Sequence, residues 1–452
     1  MQYQAGYCRR TSHPNAPIPL TGFSNEAVRL HTAITEDICI SCVAISDCIT
    51  TIMVISLDIC TLRDQFSTLF RELVSKATGL PEERIFIAAT HTHSGPGLYC
   101  DQFESVREYM AKFCKDLEDA AREAMADLKP AKLFAGSIET EKLNFVKHYK
   151  MRDRVTGEVS CIGDQYGTEV GKIYVDHMTK ADPTLHVLRF AREGGKDVVL
   201  ANFRAHPHFT GGYDKHDLSS DYIGAFRMAL EAMYDCHAIY FQGASGNINS
   251  SSRMSGDRLY TTCRSYGAAL AAAALECLGR YMKEVTFAPI KTKQLKVYAE
   301  INHTMDHLAA EGKRIWDLWL ETYDRELCNK EAKPLGITSV YHAWAIYANS
   351  RRTKEADGGL ILNAVMLGQE LAFVTYPGEL FDSLSVRMED NSPFQTTLLF
   401  GYCYHHMFYL PSMAAYKYGS YEVCTTRFQP GTGEMVADTF VEMLKELKED
   451  IT

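Results

Sequence analysis

His91 and His93 stand at i and i+2 in Thr90-His91-Thr92-His93-Ser94-Gly95-Pro96-Gly97, directly after the apolar run Ile85-Phe86-Ile87-Ala88-Ala89. The run reads as a buried strand, and Gly95-Pro96-Gly97 as a sharp turn beyond it. In an extended backbone the two rings point to the same side, so both can face a pocket at the strand's carboxyl end. Three further strand-like runs end in residues of similar chemistry. Val198 to Phe203 runs into Arg204-Ala205-His206-Pro207-His208, Leu371 to Thr375 into Tyr376-Pro377-Gly378-Glu379, and Leu398 to Tyr402 into His405-His406-Met407-Phe408-Tyr409. Two neutral imidazoles, a carboxylate and another N/O donor suit a borderline cation such as Zn2+. By residue type alone the donors are His91 or His93, His206 or His208, Glu379, and His406 or Tyr409. Each histidine could instead be an ordinary turn residue. The four strand ends together carry the reading.

The elements that must position these residues follow from periodicity. Ile38 to Ile45 and Ile49 to Leu57 read as a strand pair, Leu62 to Thr78 as an amphipathic helix closed by Gly79, and Ile85 to Ala89 as the next strand, which together make a βαβ unit. Asp58, at the end of the second strand, fits a helix cap or a place in the site equally well. Further helices are expected at Tyr109 to Leu128, Tyr222 to Tyr234, Leu259 to Tyr281 and Met305 to Leu327. Trp316 and Trp319 in the last of these read as packing anchors. Leu185 to Phe190 and Val198 to Phe203 read as a hairpin, Ala238 to Phe241 as a short strand, and Leu360 to Leu367 with Leu371 to Thr375 as another pair. Residues 5–24 and 132–170 read as irregular, apart from short strands in the latter. Gly433 to Lys448 reads as a solvated end helix. The sum is one large mixed α/β domain over residues 1–452, a mixed sheet with flanking helices.

Composition sets the class. A net charge of −10 without any Lys/Arg run excludes a nucleic-acid surface. No apolar window approaches the length of a membrane span, and the first twenty residues have no signal-peptide core. Fourteen cysteines without C-x-x-C or framework spacing suit free thiols in a reducing compartment, so a cytoplasmic protein is expected.

Thr90-His91-Thr92-His93-Ser94-Gly95-Pro96-Gly97 resembles the signature of the neutral/alkaline (non-lysosomal) ceramidases. The likeness continues in order through Ala5-Gly6-Tyr7 with Pro17 to Gly22, Ser56-Leu57-Asp58, Ala205-His206-Pro207, Ser219-Ser220-Asp221-Tyr222, Gly246-Asn247-Ile248-Asn249, Pro377-Gly378-Glu379, Tyr409-Leu410-Pro411 and Gly419-Ser420-Tyr421-Glu422. The resemblance implies the catalytic-domain fold of that family, with zinc held by His91, His206, Glu379 and Tyr409 and with His93 on the substrate carbonyl. Two departures stand out. Asn249 occupies the position of the family's nucleophilic serine, and an asparagine can only orient or donate hydrogen bonds. Lys147 stands where the family has a substrate-binding arginine, and it lacks the planar fork. Ser250, Ser251 and Ser252 follow Asn249, so a nucleophile in shifted register is open. His406 occupies a tyrosine position of the final motif.

These residues point to a zinc-dependent, ceramidase-like amidohydrolase acting on a small polar molecule through metal-activated water, without an acyl-enzyme. His93 and Asn249 would steady the oxyanion, and Lys147 would hold a substrate anion or hydroxyl. A polar pocket edged by Lys147, His148, Arg204, His208, Tyr213, Asp214, Asn247, Asn249 and Arg253 is expected, too short for a ceramide. A zinc-dependent lyase or isomerase needs no nucleophile either, and a metal-stabilised binding protein is the alternative of a different class.

Overall fold

The computed structural model describes residues 2–23, 25–163, 171–251, 259–404, 408–417 and 419–449. Apolar alternation builds its main sheet. In the antiparallel strands Cys39–Ser46 and Thr51–Leu57, Ile40, Cys42, Ala44, Met53 and Ile55 face the helices Asp64–Thr78 and Glu104–Ala126. Val43, Ile45, Ile52 and Val54 face the other way, onto a second sheet. Strands buried on both faces explain the near-continuous apolar runs.

The main sheet runs in the order Cys236–Gln242, Asp197–Phe203, Thr184–Arg192, Lys129–Glu139, Tyr3–Thr11, Cys39–Ser46, Thr51–Leu57, Ile85–Ala89. Its outermost pairs are parallel and everything between them is antiparallel. The second sheet orders Lys291–Tyr298, Gly359–Met366, Leu371–Thr375 and Thr396–Phe400, with its last pair parallel. A parallel pair needs a crossover. Here the helices Asp64–Thr78, Asp221–Met233 and Asp382–Asn391 supply one for each pair. His91, His206 and Glu379 therefore each follow the carboxyl end of a strand in one of three βαβ units.

Several expectations are corrected. Residues 5–24 do not begin irregularly: Tyr3–Thr11 is a central strand, masked in sequence by Arg9 and Arg10. Arg9 meets Glu231 Oε1 and Oε2 at 2.9 and 2.8 Å. Lys129–Glu139 is likewise an eleven-residue strand, whose small residues weaken its pattern. The long helix expected over Met305 to Leu327 breaks at Tyr323, whose φ is 50°. Ala309–Thr322 is followed by Arg325–Ala332, which Asp324 caps by accepting the Leu327 N–H at 3.0 Å. With Val340–Asn349 these form a helical layer around Ile315, Trp319, Cys328 and Val340. The final helix, Thr432–Glu449, is not a solvated end cap, because Val436, Ala437, Phe440 and Leu444 bury against the second sheet. Among the described residues no helix is long and apolar enough to cross a membrane, and all fourteen cysteines are free thiols.

Candidate metal centre

The three βαβ units aim their loops at one point. His91 follows Ile85–Ala89, His206 follows Asp197–Phe203, and Glu379 follows Leu371–Thr375. The donor atoms of His91, His206 and Glu379 all lie within 4.8 Å of one another, and all three residues are buried. His91 Nε2 is 3.2 Å from His206 Nε2, and Glu379 Oε2 is 3.2 Å from His206 Nε2 and 3.6 Å from His91 Nε2. His91 Nδ1 donates to the Cys60 carbonyl at 2.8 Å and His206 Nδ1 to the Ile248 carbonyl at 2.9 Å. A carbonyl can only accept, so each Nδ1 carries the proton and, in the neutral ring, each Nε2 lone pair faces the other. Glu379 Oε2 is buried without a hydrogen-bond donor among the described residues. Converging lone pairs around such an oxygen fit a divalent cation.

The His91 backbone differs from the expectation. Its φ is 65°, so the chain turns there rather than continuing as a strand. His93 converges all the same, with its Nε2 3.1 Å from His91 Nε2. Its carbonyl accepts from Arg29 Nη2 at 2.7 Å. Gly22 (φ 102°) packs on the His93 ring so closely that a Cβ would come within 2.7 Å of it. Gly246 plays the same part for Glu379: its N–H donates to the Leu380 carbonyl at 2.9 Å, and a Cβ would lie 2.5 Å from the Glu379 carbonyl.

Charge balance supports the same centre. Burial raises the Glu379 carboxyl, yet His91 and His206 hold it well below the ordinary range. Burial also pulls the His91 imidazolium down, but Cys60 and Glu379 outweigh it and push His91 up to about 10. Burial, with Lys147 nearby, takes His206 down to about 4. Burial and the two neighbouring imidazoles hold His93 well below its usual value. A buried carboxylate here needs one positive charge, supplied by a proton on His91 or by a cation.

The remaining predicted residues divide. Tyr409 is register partner to Glu379 in a short parallel pair, and burial followed by the Glu379 charge raises its phenol well above normal. Asn249 forms a backbone bridge to His206 and, with Lys147 and Tyr409, lines a cavity of 560 Å³. His208 and Tyr213 also line it. The Lys147 ammonium is already engaged, 2.9 Å from Glu422 Oε1 and 5.2 Å above the Tyr409 ring. His148 takes the other oxygen of Glu422 at 2.8 Å. Four residues expected in the pocket lie elsewhere. His148 sits behind Lys147. Arg204 is buried among Asp182, Asp382 and Glu389 at 2.9, 3.3 and 2.8 Å. Asn247 Oδ1 accepts from the Asp382 N–H at 2.8 Å, and Asp214 is exposed outside the lining. Ser250 and Ser251 line a 180 Å³ pocket that shares His208 and Asn249 with the larger cavity. His406, Ser252 and Arg253 lie outside the described residues. Asp58 neither caps a helix nor joins the site: it accepts from Arg227 Nη1 and Nη2 at 3.1 and 2.5 Å and from the Cys39 N–H at 2.8 Å.

Some lining residues carried no signal in the sequence. Arg325, Asn329, Ser339 and Tyr341 reach the cavity from the helical layer. Tyr402 stacks on the His91 ring at 4.0 Å. A second cavity, of 610 Å³, adjoins the first along His93, Tyr341, Tyr409 and Tyr421 and meets the cluster at His91, His93 and Glu379. Trp316 packs against the layer's core, as a packing anchor should, and also lines this cavity, while Trp319 is buried in that core.

No protein-family model and no curated protein matches the chain. Solved structures share its fold, ceramidases among them. A crystal structure of neutral ceramidase from Pseudomonas aeruginosa superposes with a TM-score of 0.69 at 19% identity, covering 100% of this chain and 75% of that one. A ceramidase complexed with C2 gives 0.69 and 19%, covering 100% and 76%. The large mixed sheet with flanking helices is thus a neutral ceramidase-like fold.

Proposed function

We propose that the chain is a zinc-dependent hydrolase that cleaves an amide-like bond in a small polar molecule, with the whole chain as its catalytic unit. The observation that carries this reading is the convergence of the His91 and His206 lone pairs on Glu379 Oε2 at 3.2–3.6 Å. The four ligands would be His91, His206, Glu379 and Tyr409. When bound, zinc would lower the pKa of a coordinated water to about 7 and polarise the substrate carbonyl. The chain's own residues supply the rest. His93, neutral near pH 7, and Asn249, lining the cavity beside His206, would steady the developing oxyanion. Lys147, fixed by Glu422, would place a positive charge beside Tyr409 rather than a mobile ammonium. The free thiols and the net charge suit a cytoplasmic enzyme acting on a small molecule, not on nucleic acid. A lyase or isomerase would use the same donors, and entry of oxygen-18 from solvent water into the acid product, which neither of those reactions gives, separates them. A binding protein with a closed four-ligand site would turn over nothing.

With asparagine at 249, attack needs no enzyme nucleophile and no acyl-enzyme forms. An electrophilic amide probe should therefore leave Ser250 and Ser251 unlabelled by mass spectrometry. Neither serine lines the 560 Å³ cavity, which supports that outcome, and covalent capture at either would restore a serine mechanism in shifted register.

Substrate size gives a second expectation. Burying two long acyl chains requires an apolar groove, at about 0.8 kcal/mol for each CH₂. The cavity beside Asn249 sets His93, His208, Arg325 and Ser339 among Phe23, Val340 and four tyrosines, so an apolar chain there would leave polar groups unpaired. Small hydroxylated or charged amides should be hydrolysed at least tenfold more efficiently than a long-chain ceramide in mixed micelles, since unpaired polar groups penalise an apolar substrate. The reverse order of kcat/KM would refute a polar-substrate site.

A further inference from the structure

The 610 Å³ cavity has a character the sequence did not announce. Its wall from the helical layer is aromatic. Trp316 and Trp344 stand 6.4 Å apart centroid to centroid, and Trp344 meets Phe408 at 4.9 Å. Its floor is the metal cluster, through His91 and Glu379. Three guanidinium groups line it as well: Arg63, Arg352 and Arg427. Arg63 stacks over Tyr99 at 3.3 Å and lies beside Glu26. Arg352 is different. Its Nη1 donates to Asn349 Oδ1 at 2.8 Å and its guanidinium lies 5.2 Å from the Trp344 ring, but it makes no ion pair among the described residues. Asp64, within the lining, and Asp357, outside it, attract both Arg352 and Arg427, and Arg427 Nη1 also donates to the Asp357 carbonyl at 3.3 Å. Burial and the neighbouring Arg427 push Arg352 down to about 10, as expected of a buried cation beside a like charge. A half-buried arginine in that state gains most from a ligand that brings its own negative charge, and the aromatic wall gives such a ligand an apolar body to rest on.

We propose that this cavity is an oxyanion subsite: it takes a carboxylate, phosphate or sulfate carried on an aromatic or apolar spacer, with Arg352 and Arg427 at its cationic end. The assignment of that anion as one arm of the substrate rests on the hydrolase reading above; the anion site itself does not. The scissile bond would lie over the metal cluster, with the polar arm in the cavity beside Asn249 and the anionic arm under the helical layer.

The chain has three tryptophans, and Trp316 and Trp344 line this cavity, so intrinsic fluorescence reports its occupancy. The full chain, stripped with EDTA so that no metal binds the anion, is titrated with phenylacetate, phenyl phosphate and neutral phenylacetamide. At least one anion should give a saturable change, with phenylacetamide at least tenfold weaker, and the tighter anion identifies the oxyanion class. Arg352→Gln should weaken that anion at least tenfold without altering phenylacetamide, and Arg352→Lys should recover part of the loss. Arg427→Gln provides an independent second variant, and circular dichroism checks that each is folded. No saturable change with either anion, equal binding of acid and amide, or unchanged binding in both folded glutamine variants would overturn the subsite. Metal content and turnover are read separately. Anion selectivity without turnover sinks the hydrolase and keeps the subsite; turnover without anion selectivity does the opposite.

Discussion

His206→Ala protein, purified without added metal, should contain none, whereas the parent chain should hold about one zinc per molecule by elemental analysis. Glu379→Gln should behave similarly, because it removes the charge that two imidazoles and a cation would share. Turnover should fall on the order of 10³-fold or more: Lewis-acid stabilisation is worth several kcal/mol, and each ~1.4 kcal/mol is tenfold in rate. The pH dependence has a definite sign. His91 is pushed up to about 10 without metal, so below that pH a cation must displace its proton. Apparent zinc affinity, measured against a competing chelator, should therefore weaken as pH falls. Metal content unchanged in both variants would remove the cluster from the mechanism.

What the sequence made legible here has a physical basis. Parallel strands buried on both faces leave unbroken apolar runs, so the positions of His91, His206 and Glu379 at strand ends could be read directly. The short strand carrying Tyr409 could not be settled against His406, because residue type alone does not fix the fourth donor. Long-range pairing was hidden. Glu422 holds Lys147 from 275 positions away, and Arg204 reaches Glu389 across 185. Arg204 therefore looked like a pocket residue in a linear reading, and Lys147, which does line the cavity, looked like a free ammonium. The helical layer was the largest loss. Its break at Tyr323 depends on a left-handed backbone conformation at a non-glycine residue, which no periodicity announces. Without that break the aromatic cavity could not be anticipated, and the expected pocket was polar throughout.

Asp58→Ala should cost about 3–5 kcal/mol of stability, the usual penalty for leaving a buried ion pair with one partner. Asp58 is fully buried at the end of Thr51–Leu57, and Arg227 lies on the helix Asp221–Met233, so the pair ties together the two parallel units of the main sheet. One of those units carries His91 and the other His206. Removing the carboxylate strands the Arg227 guanidinium, only 3% exposed, and frees the Cys39 N–H as well. The midpoint of urea unfolding should drop, and zinc affinity should fall with it as the two histidine loops lose their common anchor. Asp58→Leu combined with Arg227→Met should recover most of the stability, because apolar groups of similar volume replace a buried pair at little cost. Zinc affinity is the sharper readout of the two. If Asp58→Ala unfolds earlier yet binds zinc as tightly as the parent, the ion pair stabilises the sheet without setting the distance between His91 and His206.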